Sequence, residues 1–102
     1  MTAETDPTVL VLTSLADGPK HGYAITLDVA DTVGVSLGPG TLYGVLSRLE
    51  DGGLVEALPA EGRRRPYRLT AAGRQVLTEQ AERMRTVAEL GLRRLGAAGA
   101  GS

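Results

Sequence analysis

Gly40-Thr41-Leu42-Tyr43, continuing through Leu46, Arg48, Leu49 and Glu50 to Gly53-Leu54-Val55, is the stretch that decides the fold of this 102-residue chain. Leu42, Leu46 and Leu49 follow the i, i+4, i+7 rule and so share one face of a helix. The opposite side is small and polar: Gly40, Thr41, Tyr43, Gly44, Ser47 and Arg48. Gly38-Pro39 opens this helix, because a proline at the first helical position lacks only an N–H that had no partner. Gly52-Gly53 closes it. Next comes Gly62-Arg63-Arg64-Arg65-Pro66-Tyr67-Arg68-Leu69-Thr70, which predicts an arginine-tipped β-hairpin running into a further helix. A helix that enters the DNA major groove, followed by a basic wing, has this layout.

On the N-terminal side, Asp6-Pro7 predicts a helix start, with an Asp cap and proline at the first turn. Val9, Leu10, Val11, Leu12 and Leu15 are too continuous for a one-sided surface helix and predict one buried on most sides. Asp17-Gly18-Pro19 stops it. A second helix is predicted from about Gly22 to Val33, with Ile25 and Val29 inward and Gly34 ending it. Val55–Leu58 and Pro66–Leu69 are the strand candidates, around a turn on Glu61-Gly62-Arg63-Arg64. Pro66 donates no ladder hydrogen bond, so its nitrogen is expected to face outward at the hairpin edge. Thr70 caps the last helix, Ala71 to about Leu95. The expected organisation is an N-terminal tail (1–6), a winged helix-turn-helix DNA-binding domain (7–70), a C-terminal dimerisation helix (71–95) and a disordered Gly/Ala/Ser tail (96–102). The fold class is mainly α with a small β-hairpin.

A net charge of −1 argues superficially against a nucleic-acid partner, but distribution matters more than the sum. Residues 1–35 carry a net −4, residues 36–74 a net +2 with three consecutive arginines, and residues 75–102 a net +1. Positive charge is concentrated where the motif lies. Cysteine is absent, which excludes disulfides and thiolate metal ligands and suits a reducing cytoplasm. No apolar run approaches the roughly 20 residues needed to cross a bilayer, so the expected setting is cytoplasmic, without a membrane partner. The lone His21 has no nucleophile or second imidazole to assist it and stands at a helix start, where a structural role outweighs a catalytic one. An enzyme, a metal site and a cofactor are not expected.

In the DNA reading, Gly40 and Gly44 let the backbone approach the duplex closely. The free N–H groups and dipole at the helix start favour a phosphate. Thr41 and Tyr43 offer hydroxyls to phosphate oxygens. Ser47 and Arg48 are the candidate base readers, Arg48 by a bidentate contact to guanine. Two alternatives stand beside this: Tyr43 packing on the second helix, and Arg48 pairing with a nearby carboxylate. Arg63, Arg64 and Arg65 at a hairpin tip favour contact with phosphates or the minor groove over a merely solvated run.

His21-Gly22-Tyr23, Pro39-Gly40-Thr41-Leu42-Tyr43, Arg48-Leu49-Glu50 with Gly53-Leu54-Val55, and Gly62-Arg63-Arg64-Arg65 with Tyr67-Arg68-Leu69-Thr70 and Gly73 stand in the order seen in PadR proteins. Over roughly residues 8 to 95 the chain resembles this family of bacterial transcriptional regulators, in its compact branch with one C-terminal helix. The resemblance implies a dimeric winged-helix repressor whose grip on DNA loosens when a small molecule binds. It also implies that Tyr23, Thr41 and Tyr43 contact the DNA backbone and that the wing arginines reach the minor groove. Three positions depart from the family pattern. Gly38 replaces a Ser able to cap the recognition helix, Gly44 replaces a larger residue or Pro, and Pro66 replaces a ladder donor.

Leu77, Ala81, Met84, Ala88, Gly91 and Leu95 form a heptad seam along the last helix, with small residues that allow close helix approach. Val76, Val87 and Leu90 form an adjacent stripe. A helix of about 25 residues spans nearly 40 Å, longer than so small a core needs, which favours a homodimer over a helix folded only on its own domain. Two such domains across a twofold axis predict a palindromic operator. An effector is open: Trp and Phe are absent, leaving an aliphatic channel between the last helices, or no ligand. The main rival reading is a winged-helix protein-interaction module without specific DNA binding.

Overall fold

The computed structural model describes residues 6–100, with side chains described through Gly96. Four helices and three short strands follow one another as α1 (Pro7–Leu15), β1 (Lys20–His21), α2 (Gly22–Val33), α3 (Pro39–Asp51), β2 (Val55–Ala57), β3 (Pro66–Leu69) and α4 (Ala71–Ala100). This is a winged helix-turn-helix carrying a long C-terminal helix.

Local chemistry sets most boundaries. The Asp6 carboxylate accepts from the Thr8 N–H at 3.0 Å and caps α1, with Pro7 at the first turn. α2 ends at Gly34, whose φ of 75° is the left-handed conformation that a side chain resists. α3 starts at Gly38 without any side-chain cap, as its missing hydroxyl requires. Thr70 joins three segments. Its hydroxyl accepts from the Gly73 N–H at 3.0 Å to cap α4 and donates to the Gly53 carbonyl at 2.7 Å, while its own N–H reaches the Leu54 carbonyl.

The core is formed by Leu10, Val11, Leu12 and Leu15 of α1, Ile25 and Val29 of α2, Leu37, Leu42, Val45, Leu46 and Leu49 around α3, and Val55 and Leu69 of the sheet. α1 is central, which explains its unbroken apolar run. Ser14 is also buried, and its hydroxyl donates to the Asp28 carboxylate at 2.7 Å, tying α1 to α2.

Three expectations need correction. The sheet has three strands in the order β1-β3-β2, not two, because Lys20 and His21 pair with Tyr67 and Pro66. Pro66 is therefore on the central strand. Its carbonyl accepts from the Leu58 N–H at 2.8 Å, so its donor-less nitrogen faces the end of β2 rather than an open edge. The Leu58 carbonyl, which a Pro66 N–H would have served, instead accepts from the Arg65 guanidinium at 3.1 Å. Finally, α4 continues to Ala100, five residues beyond the expected end; there is no backbone break at Gly96, and an alanine-rich run sustains the ladder. The remainder of the predicted tail, 101–102, and residues 1–5 lie outside the described residues.

Candidate nucleic-acid interface

α3 turns its leucines inward as its spacing requires, together with Val45, and leaves Gly40, Thr41, Tyr43, Ser47 and Arg48 exposed. Gly44 is half-buried, with open space above it except for the Arg48 guanidinium, which lies 3.8 Å from where a Cβ would stand. The Arg48 side chain thus folds back along its helix over Gly44. It takes part in none of the three ion pairs among the described residues, which join Lys20 to Asp17, Arg68 to Glu56 and Arg85 to Glu82.

The wing folds as a tight turn. Glu61 and Arg64 exchange both backbone hydrogen bonds, and Gly62 takes a φ of 65° that makes the reversal possible. Arg63, Arg64 and Arg65 are all exposed. The antiparallel pairing of β1 with β3 brings this wing alongside the start of α2.

Between these elements lies a cleft of about 310 Å³ lined by His21, Gly22, Tyr23, Tyr43, Arg63, Arg64, Arg65 and Tyr67. Five of the ten residues expected to touch DNA meet here: Tyr23, Tyr43 and the three wing arginines. Gly40, Thr41, Gly44, Ser47 and Arg48 are not part of the cleft lining and lie along α3. Tyr43 packs on the second helix, as its alternative reading had it, and still reaches the surface. Its ring rests on the backbone of Gly22, whose absent side chain makes the room, yet the residue remains 52% exposed. Tyr23 is exposed beside it.

Sequence reasoning gave no interface role to three lining residues: Gly22, on which Tyr43 rests, Tyr67 and His21. Tyr67 is half-buried between the buried Pro66 and the exposed Arg68, in a four-residue strand whose burial does not alternate, so no period-2 signal marks its face. Its phenol is pushed up from the usual tyrosine range, first by burial and then by the nearby Glu50 and Tyr43, with Arg65 opposing, so it remains a protonated donor at neutral pH. His21 caps α2 as expected, its Nδ1 accepting from the Ala24 N–H at 3.3 Å, but its Nε2 also stands 3.4 Å from Arg64 Nη1. That approach depends on the β1–β3 pairing and has no local signal. All three tyrosines of the chain and its one histidine therefore converge on the wing arginines.

On α4, the expected intersubunit seam divides in two. Leu77, with Val76, packs against the core of its own domain. Met84 is half-buried, whereas Ala81, Ala88, Gly91 and Leu95 are exposed. Val87, Leu92 and Leu95 are 70%, 69% and 72% exposed, an apolar surface that a solvated helix does not need. No helix among the described residues is long and apolar enough to cross a membrane.

The family model of the transcriptional regulator PadR-like family matches residues 11–79. An uncharacterised 37.1 kDa protein of a Streptomyces fradiae transposon is 52% identical over 79 residues, and a transcriptional regulator of Mycobacterium tuberculosis is 44% identical over 72. The aligned segments cover 78% and 68% of this chain but only 23% and 66% of those two proteins. Among solved structures, a PadR family transcriptional regulator from Eggerthella lenta is 33% identical with a TM-score of 0.73, covering 86% of this chain and 79% of that one. A PadR family regulator from Clostridium difficile has a TM-score of 0.78 over 87% of this chain and 97% of its own, at 23% identity, and so bears on the fold alone.

Proposed function

The chain belongs to the PadR-like family of transcriptional regulators, and from that premise we propose that it acts as a homodimeric repressor that binds a palindromic operator through α3 and the wing. The observation that carries this reading is the cleft where three wing arginines meet Tyr23 and Tyr43 beside the exposed face of α3. Guanidinium groups with hydroxyls around them suit phosphate oxygens. The uncapped N-terminus of α3 adds free N–H groups to the same surface. Within it, Thr41, Tyr43 and Tyr23 contact the backbone, Gly40 and Gly44 allow close approach, and Ser47 and Arg48 reach base edges.

The exposed apolar surface of α4 supports a second copy of the chain as the partner, which sets two α3 helices one DNA turn, or a multiple, apart. The three tyrosines are committed to the cleft, so an effector would occupy aliphatic space between the two α4 helices. The regulated genes on this reading are the chain's own or those of a neighbouring transport or detoxification operon.

Fluorescence anisotropy against the duplex upstream of its own gene, beside a scrambled duplex and across a salt series, tests the proposal. Preferential, salt-sensitive binding to the native sequence is expected. Equal and weak binding to both duplexes would favour a protein-interaction module instead.

A further inference from the structure

The solvent-exposed contact between His21 and Arg64 brings together two groups that do not satisfy one another when His21 Nδ1 accepts the α2 cap. The Nδ1 atom of His21 accepts the Ala24 N–H at 3.3 Å. An imidazole nitrogen that accepts carries no hydrogen, so the neutral ring holds its proton on Nε2. That Nε2–H is directed to the neighbourhood of Arg64 Nη1, 3.4 Å away. A guanidinium offers only donors and stays protonated at any physiological pH. Two donors therefore face one another, and neither accepts from the other.

The surroundings say what completes the pair. Arg63 and Arg65 line the same cleft with Tyr23, Tyr43 and Tyr67, and among the described residues no carboxylate lines it. Tyr43 lies over Gly22, the residue next to His21. Excess positive charge, hydroxyl donors and two converging N–H groups select an anionic oxygen over water. We propose that His21 and Arg64 form a clasp for one DNA backbone phosphate, with the neutral imidazole donating through Nε2 and Arg64 supplying the charge.

This inference rests on the DNA-binding reading and adds a residue and a division of labour to it. His21 sits where three elements meet: it caps α2, forms the end of β1 and pairs with Pro66 at the base of the wing. A phosphate held there fixes the wing against the helix-turn-helix. The contact is blind to sequence, since phosphate oxygens are the same at every base pair, and any mixed-sequence duplex at low salt can report it.

Two measurements test the clasp. The first needs no variant. With one histidine in the chain, long-range proton–nitrogen NMR of the free protein reads the tautomer of a single ring, and the Nε2–H form is expected. An Nδ1–H ring would let Arg64 donate to Nε2, satisfy the pair internally and overturn the proposal. The second compares the wild type with His21→Asn and Arg64→Ala on a mixed-sequence duplex. Asparagine is among the best helix N-caps, so α2 stays capped while the reach towards Arg64 is lost. His21→Asn is expected to bind about fivefold more weakly, the scale of one lost hydrogen bond, with its salt slope unchanged because a neutral donor displaces no counterion. Arg64→Ala is expected to lower the slope by about one per protomer.

Wild-type affinity in His21→Asn would reduce His21 to a cap and overturn the clasp while leaving the DNA reading intact. A lowered slope in that variant would mean an imidazolium and overturn the neutral-donor assignment. Failure of the wild type to bind any duplex would remove the DNA reading and the clasp with it.

Discussion

Two glycines show how the same missing atom serves different ends. A Cβ at Gly73 would run into the backbone carbonyl of Leu54 and stand 2.7 Å from Leu69 Cδ1. Neither neighbour can yield easily, because Leu54 accepts from Thr70 and Leu69 is in the core. Gly73→Ala is therefore expected to destabilise the fold by about 2–3 kcal/mol, the range for overpacking a tight contact, as read by urea denaturation. The atoms nearest a Cβ at Gly22 are those at the end of the Tyr43 ring, with Cζ at 2.8 Å, and that half-exposed ring has room to swing into solvent. Gly22→Ala should leave stability within about 1 kcal/mol of wild type, since alanine also restricts the unfolded chain. DNA affinity should nevertheless fall, because the Tyr43 hydroxyl is moved off its position. A variant as tight as wild type would separate Tyr43 from the interface. The sequence showed a glycine before Tyr23 but not what lay above it. Neighbours 21 residues apart in the chain are invisible to local pattern.

At the scale of elements, α1, α2 and α3 were legible because each carries its own punctuation. Asp6-Pro7, Gly34 and Gly38-Pro39 act within a turn of where they stand, and the three leucines of α3 set its inward face unaided. β1 was not legible, since two residues have no periodicity and become a strand only when β3 lies beside them. The wing turn was readable from Gly62, whereas the role of Arg65 in replacing the absent Pro66 donor was not. α4 falls between these cases. Its heptad was plain, but the seam serves two masters: Leu77 packs on the core of its own domain, and only the outer part is free for a partner. A test of dimerisation must therefore avoid the first turns, where Leu77→Asp would unfold the domain as well as part the subunits. The double variant Ala88→Asp, Leu95→Asp changes exposed positions alone. It is expected to be monomeric by light scattering while keeping its far-UV circular dichroism, and an intact dimer would put the interface on another face.

For the whole molecule, shape and charge act together. The chain measures 60 × 26 × 20 Å, because 30 residues of α4 extend far beyond a domain whose core needs only its first turns. A long helix with Val87, Leu92 and Leu95 exposed gains stability mainly from what it packs against, so on the homodimer proposal stability and assembly are one equilibrium. A net charge of −1 per chain disfavours sticking to polyanions at large, while the wing arginines provide local attraction. The two wings of a dimer present six arginines between them. If each displaces one counterion, the logarithm of affinity should fall with the logarithm of salt at a slope of about −5. Replacing Arg63, Arg64 and Arg65 with alanine should remove nearly all of that slope and weaken binding to every duplex alike. Because Arg65 also holds the Leu58 carbonyl, a companion variant with Arg63 and Arg64 alone replaced separates lost charge from a loosened wing. A loss of two-thirds of the slope in the companion assigns the effect to charge. An unchanged slope in both variants would take the wing out of DNA binding and return the arginines to solvent.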